Sequence, residues 1–434
     1  MTLHPCSSRE AAGTRHPQAR QRGVASLIVV MVLFFVVSMV AAYTSRNLIF
    51  EQRTSTNQYR ATQALEAADA GLQWAIGLLN SGRIDPSCVA STNLADTSFR
   101  QRYMSINGST GAITPQLTSL GATLMPSCVF DGSNWQCSCP VDGAPSVTTP
   151  SGSGVFPAFR VRFLAMARPG VVKIESNGCT RNVDSCLNFP ASGSDNEGRV
   201  TVTALVALKG GVSTIPAAPL TLKGLLDLGG ANLKVVNSDP TATGITIQAG
   251  GDVIESGLSL ISSPGTPSAL SVVKFDTSLS DLTPNRMFAN VFGLWRETYR
   301  DQPGAVVLNC GLAGCSANTI RSTIAQNPGR MLWLQGDFSV DSGGDIGSAA
   351  EPVVIVASGG VTFTAAARMF GLLYTQAATW TTSGAAEVRG AVVAEGNVGG
   401  TSTATFVYDA PLLTQLRTRS GSFALVPGSW KDFQ

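Results

Sequence analysis

From residue 24 to residue 43 the chain runs without a charged side chain, and nearly every position is apolar. At the helical rise this run reaches about 30 Å, the thickness of a bilayer's hydrocarbon core, and predicts a membrane span. The pattern then changes without a break. From Ala61 the small and apolar residues fall at Ala64, Leu65, Ala68, Leu72, Ala75, Ile76 and Leu79, the spacing of three and four that lays one stripe along a helix. No proline interrupts the chain between Val24 and Asp85. Together the two patterns predict one helix of about 55 residues and about 80 Å, apolar all round over 24–44 and amphipathic over 45–80.

Beyond the helix the period shortens. Phe159-Arg160-Val161-Arg162-Phe163-Leu164-Ala165 alternates in part, Val171-Val172-Lys173-Ile174-Glu175 follows a Pro169-Gly170 turn, and 200–208 alternates Val with Thr before turning apolar. These runs predict an antiparallel meander over 155–215. A sheet with one wet face needs a cover on the other, and the Ala-rich stripe supplies it. The intervening stretch 81–154, rich in Ser, Thr, Gly and Pro, predicts exposed loops stapled by disulfides.

From 216 to 434 short β-prone runs recur at 220–228, 232–236, 244–248, 331–340, 352–356, 361–364, 371–375 and 387–395, with Gly336-Asp337, Gly359-Gly360 and Gly396-Asn397 between paired runs. Tight corners between short strands predict stacked rungs of a β-solenoid, in preference to a β-sandwich, although no strict repeat length emerges. A helix is expected over 285–300 with Met287, Phe288, Val291, Phe292 and Trp295 on one side, and another over 411–419. The fold class is α+β: a long N-terminal helix on an antiparallel sheet, followed by an all-β C-terminal domain.

Composition narrows the compartment. Of 434 residues 44% are hydrophobic, only 13% are charged and 45 are Gly, which suits a β-rich protein outside the cytosol. A net charge of +2 gives no case for binding nucleic acid. Before the apolar run, Arg9, Arg15, Arg20 and Arg22 outweigh the single acid Glu10. That excess places 1–23 in the cytoplasm and the rest of the chain across the membrane. A secretory signal cleaved near Ala42 is the rival, but its apolar region would be shorter and would not feed into an amphipathic helix. Cysteine usage agrees with export. All cysteines but Cys6 follow Gly23, leaving an even number. Cys179 with Cys186 and Cys310 with Cys315 are the natural local pairs, and closing the first loop stabilises by about 2.5 kcal/mol in the chain-entropy picture. Cys137 and Cys139 pair with Cys88 and Cys128 in an order the spacing leaves open. Zinc is the alternative for Cys137-x-Cys139, but no His lies near and the compartment is oxidising.

Two features set the helix apart from an ordinary anchor. The basic leader ends in Arg22-Gly23 with the apolar run starting at the next residue, and Ala64-Leu65-Glu66-Ala67-Ala68-Asp69-Ala70-Gly71-Leu72 sets acids in a dense Ala stripe. Together they resemble the N-terminal segment of type IV pilins and pseudopilins, and most closely that of PilX-like minor pilins, over about 21–80. The resemblance implies that prepilin peptidase cuts after Gly23 and leaves Val24 as the mature N-terminus. It also implies an inner-membrane protein with its head in the periplasm, or at the cell surface after assembly, whose partners are other pilin or pseudopilin subunits. Contacts would run along the helix through Ile28, Ala64, Leu65, Glu66, Ala68, Asp69 and Leu72. Major pilins of this kind carry Glu at the fifth mature residue, where this chain has Ile28. A carboxylate able to pair with a neighbour's amine in lipid is therefore missing. This argues against a shaft subunit and for a rarely incorporated one at the tip or at initiation. The leader is long for a minor pilin, so a start downstream of Met1 stays open.

Candidate chemistry is sparse. Both histidines, His4 and His16, lie in the leader, so the mature chain has no Ser-His-Asp or Cys-His arrangement. Two carboxylates alone can hydrolyse a glycoside, but no acid pair stands out. Asp337, Asp341 and Asp345 sit in a Gly-rich stretch with the oxygen ligands of a calcium site, yet read more simply as solvated turn acids. Trp333, Trp380 and Trp430 are either core residues or a sugar-binding face, with core preferred. No catalytic, cofactor or metal residue is assigned, and no enzyme is expected. The alternative functions are a signal-anchored periplasmic adhesin, and a carbohydrate-binding or carbohydrate-active solenoid outside any filament, whose ligand would be a host surface or glycan.

Overall fold

Without proline and with frequent Ala and Leu, helix formation has nothing to stop it between Val24 and Leu79, and one helix spans that range. The computed structural model describes residues 24–152, 154–190, 197–311, 314–376, 380–382, 385–400 and 403–432. The chain divides into two units, one up to Tyr59 and one from Arg60 onward. The described part of the first is wholly helical and exposed. This helix is long and apolar enough to cross a membrane by length and composition.

In the second unit the last turns of the helix lie on a six-stranded antiparallel sheet. Its strand order is Gly421–Leu425, Arg199–Gly210, Val171–Cys179, Ala158–Ala165, Ser127–Phe130, Trp135–Ser138. Phe159, Val161, Phe163, Val172 and Ile174 share one core with Ala68, Leu72, Ala75 and Leu79. The three central strands are those the alternation predicts. The hairpin Ser127–Phe130 with Trp135–Ser138 replaces part of the expected loops; its strands are too short to show a period. Cys128 stands directly opposite Cys137 across this hairpin. The disulfides are Cys88–Cys139, Cys128–Cys137, Cys179–Cys186 and Cys310–Cys315, which supplies the order left open by the spacing. Strand Gly421–Leu425, which no pattern revealed, returns from the far end of the chain to pair with Arg199–Gly210.

With period two, the other face of the sheet carries Arg162, Lys173 and Glu175. Glu175 is 5% exposed and accepts hydrogen bonds from Arg162 Nε at 2.7 Å and Lys173 Nζ at 2.6 Å. Burial pushes its carboxyl up, but the two cations outweigh that and hold it below its ordinary value. A depressed carboxyl stabilises above its unfolded pKa, near 4.3, and that contribution is lost as pH falls through the folded value. Glu175→Gln is expected to cost about 1–2 kcal/mol at neutral pH and to flatten the acid limb of the stability–pH profile, checked by denaturant midpoints across pH. An unchanged acid limb would show that the cations do not hold this carboxylate.

Between Gly210 and Gly421 lies a large β region with short helices set against it. The chain passes Met331–Gln335, Phe338–Val340 and Gly344–Ile346, then Val353–Ala357 and Val361–Phe363, and enters Ala367–Thr375. Each strand lies parallel to one a circuit earlier: Leu332 opposite Ile355, Phe338 opposite Val361, Gly344 opposite Ala367. Ala367–Thr375 turns a corner midway. Its first half pairs with Gly344–Ile346 and its second with Val353–Ala357. The corner is Gly371, which pairs with Gly390, the corner of Glu387–Ala394. Both have positive φ, and a Cβ on either would strike a carbonyl of the preceding circuit, so no other residue fits. The segment 220–273 adds further parallel strands, with Leu220 opposite Val392 and Val235 opposite Phe406. Leu220, Ile247, Leu334, Phe338, Ile355, Phe363, Leu373, Val392 and Phe406 belong to one interior cluster.

A second cluster joins the opposite side of these strands, through Trp333, Val354, Leu372 and Tyr374, to the helices Pro284–Phe292, Arg296–Arg300 and Ala410–Arg419. The single helix expected over 285–300 is two, because Gly293 takes a left-handed conformation and ends the first. Trp295 therefore leaves the apolar side and is exposed. Helix Ala410–Arg419, expected over 411–419, is capped by Asp409, whose side chain accepts from Leu412 N.

Candidate assembly helix

Over 25–59 the helix has no cover of its own. Phe34, Phe35 and Phe50 are 71%, 72% and 71% exposed, and Ile28 lies exposed among them. Three threonine hydroxyls here are satisfied within the helix: Thr44 Oγ1 donates to Val40 O at 2.9 Å, Thr54 Oγ1 to Phe50 O at 2.9 Å, and Thr56 Oγ1 to Gln52 O at 2.7 Å. Hydroxyls bonded back to the preceding turn can sit in an apolar medium at little cost.

Over 60–79 the same helix is locked down. Ala64, Ala67, Ala68, Leu72, Ala75 and Leu79 are buried under the sheet. Two glycines allow the approach. Gly71 on the helix faces Phe159 and the Ser176 hydroxyl, and Gly178 on the strand faces the backbone of Ala64 and Ala68. The helix end is pinned as well. The Asn80 side chain accepts from Phe423 N at 2.7 Å and donates to Phe423 O at 2.9 Å. Buried Arg100 donates through Nε to Leu79 O at 2.9 Å and through its terminal nitrogens to Gly329 O and Gly421 O, each at 3.1 Å. A cation at a helix C-terminus also complements the dipole. Trp430 donates its indole N–H to Asp69 Oδ1 at 3.1 Å.

The helix positions expected to pack neighbours thus divide. Ala64, Ala68 and Leu72 are spent inside the chain's own head, because a small-residue stripe is what lets a sheet come close. Asp69 is tied to Trp430. Ile28 and Glu66 are exposed and Leu65 is half-covered. Gly23, with Cys6, His4 and His16, lies outside the described residues, and Val24 opens the helix.

The other candidates are occupied structurally. Asp337 Oδ1 accepts from Gly360 N at 2.6 Å, Asp341 Oδ1 from Ala317 N at 3.2 Å, and Asp345 pairs with Arg368 at 2.8 Å. Among the described residues no group of three or more His, Cys, Asp or Glu could hold a metal. Trp333 is core and Trp430 half-exposed, so they form no shared face; the Trp380 side chain lies outside the described residues. Asn80, Arg100 and Gly178 went unread in the sequence. An Asn just past a helix and a Gly in a strand are weak signals, and nothing local points to Phe423 or Gly421.

Residues 22–73 match the family model described as PilX N-terminal. No curated protein matches the chain. Among solved structures, the competence-associated pilin ComZ from Thermus thermophilus aligns at 11% identity, over 86% of this chain and 97% of that one, with a TM-score of 0.22. A score that low carries no argument about the fold. The matched segment is the one whose geometry is described above: an uncovered apolar helix that continues into a stripe locked beneath an antiparallel sheet. The similarity is to that N-terminal segment, residues 22–73, and it supports a type IV pilin-like family.

Proposed function

We propose that this chain is a minor pilin-type structural subunit. Prepilin peptidase cleaves it after Gly23, and it waits in the inner membrane with the leader side cytoplasmic and the head periplasmic. Its helix then carries it into a filament, and the head is displayed at or near the tip. The observation that supports this most is the contrast along one helix, uncovered over 25–59 and locked to its own sheet over 60–79. A helix built only to anchor needs an apolar span and no more. The family suggests other pilin subunits as the partners that cover it, by close packing of apolar and small residues. Ile28, without a carboxylate to pair in lipid, supports a sparse rather than a shaft role. The work read here is assembly, with no catalytic step assigned to any residue.

Gly23→Phe tests this reading. The variant is expected to keep its leader and migrate as the larger precursor, while the wild type shortens only in cells that have the peptidase. Equal mobility of wild type with and without the peptidase would overturn the reading.

A further inference from the structure

In the second unit a cleft of about 570 Å³ opens between the segment Phe99–Ile106, the helix Ala317–Gln326 and the loop 345–353. Five guanidinium groups line it, from Arg83, Arg100, Arg321, Arg330 and Arg419. Their donors go to neutral groups. Arg83 Nε bonds Ala325 O, Arg321 bonds Ser342 O and Gly344 O, Arg330 bonds Pro303 O and Ala305 O, and Arg419 bonds Ala350 O. Among the described residues none of the five forms an ion pair. Of the two lining carboxylates, Asp345 is neutralised by Arg368, and Glu351 accepts from Gln101 Nε2 at 2.8 Å. The Nε atoms of Arg321 and Arg330 are buried with no partner among the described residues. Burial, followed by repulsion from Arg330, pushes Arg100 down to about 9. Five guanidiniums gathered in a partly enclosed space against a single unneutralised lining carboxylate favour an anion brought from outside.

The lining also chooses among anions. It holds Met104, Ile106, Ile324 and Pro352, and no aromatic ring. Nucleic-acid bases are held by stacking on aromatic faces, which the described lining does not offer, whereas a peptide that alternates acidic and aliphatic side chains matches guanidiniums interleaved with aliphatic surface. We propose that this cleft docks an acidic peptide segment of a partner protein, its carboxylates on the arginines and its aliphatic side chains against Met104, Ile106 and Ile324.

The test uses the full-length chain in detergent and a fluorescein-labelled peptide alternating Glu and Leu, read by anisotropy at low salt. The peptide is expected to bind, and the double variant Arg83→Gln/Arg419→Gln to bind it about tenfold more weakly, since charge-assisted hydrogen bonds carry the contact. Arg286→Gln, an exposed arginine outside the lining, is expected to leave affinity unchanged. Glu351→Gln keeps an acceptor for Gln101 and removes the one unneutralised acid, so it is expected to tighten binding. Absence of binding, equal binding by the double variant, or weaker binding by Glu351→Gln would overturn the proposal. So would displacement of the labelled peptide by polygalacturonate or single-stranded DNA more readily than by unlabelled peptide.

Discussion

Gly178→Ala is expected to destabilise the head by about 3 kcal/mol, the top of the range for overpacking, because the added methyl has nowhere to go. Its Cβ would fall on Ala64 O, Ala68 N and Ala68 Cα, the last at 2.8 Å. These are backbone atoms of a buried helix and cannot rotate away as a side chain would. Either the helix lifts from the sheet, uncovering the Ala64, Ala68 and Leu72 stripe, or the strand distorts. For a unit as large as Arg60–Gln434 the loss lowers Tm by about 4 °C. Gly77→Ala makes the same chemical change on the exposed side of the same helix, where nothing lies within 4 Å. There the methyl removes only backbone freedom, and about 0.5–1 kcal/mol of stabilisation is expected. Opposite signs from one substitution type isolate the helix–sheet contact. Thermal melts in which both variants move the same way would mean that the helix is not seated as described.

Arg100→Ala carries the second large effect, about 3–4 kcal/mol by denaturant midpoint, since it opens a cavity and leaves buried carbonyls without donors. One planar fork joins the helix end at Leu79, the turn at Gly329 and the start of the last strand at Gly421. Although lowered to about 9, the group stays charged at neutral pH and keeps these bonds. Arg100→Lys retains the charge but not the fork, and most of the loss is expected to remain. Arg300→Ala, which removes an exposed pair with Asp301, serves as the control and is expected to change little. Loss confined to Arg100→Ala, with full rescue by Lys, would reduce the role to charge alone.

What the sequence made legible follows from what has a period. The helix shows itself through twenty residues without a charge, nearly all apolar, and then through Ala64, Ala68, Leu72 and Ala75 at helical spacing. The strands show themselves by alternation at 159–165 and 200–208, long enough to set one face against the other, and by the Pro169-Gly170 turn before 171–175. Strand Gly421–Leu425 has five residues and no alternation, and its place is fixed by a partner at 206–210, so no local reading finds it. The circuits of the large β region leave Gly corners in the sequence but no repeat. Leu332 lies opposite Ile355, Val353 opposite Gly371 and Gly371 opposite Gly390, so the circuits differ in length. The helix Val24–Leu79 was legible as a helix. Its division into a locked half and an uncovered half was not, because the same Ala stripe serves equally to meet a neighbour or to admit one's own sheet. The arginine cleft was invisible for a related reason: Arg83, Arg100, Arg321, Arg330 and Arg419 are scattered along the chain and meet only when the head and the β region fold together.

The N-terminal sequence of the protein extracted from membranes tests the central claim most directly. A mature chain beginning at Val24 is the predicted result, since only removal of the leader at Gly23 turns this helix into a pilin-type assembly element. A chain that retains its leader, or one that begins just beyond Ala42, would contradict it: the first leaves a signal-anchored protein, and the second a released one without the apolar half of its helix.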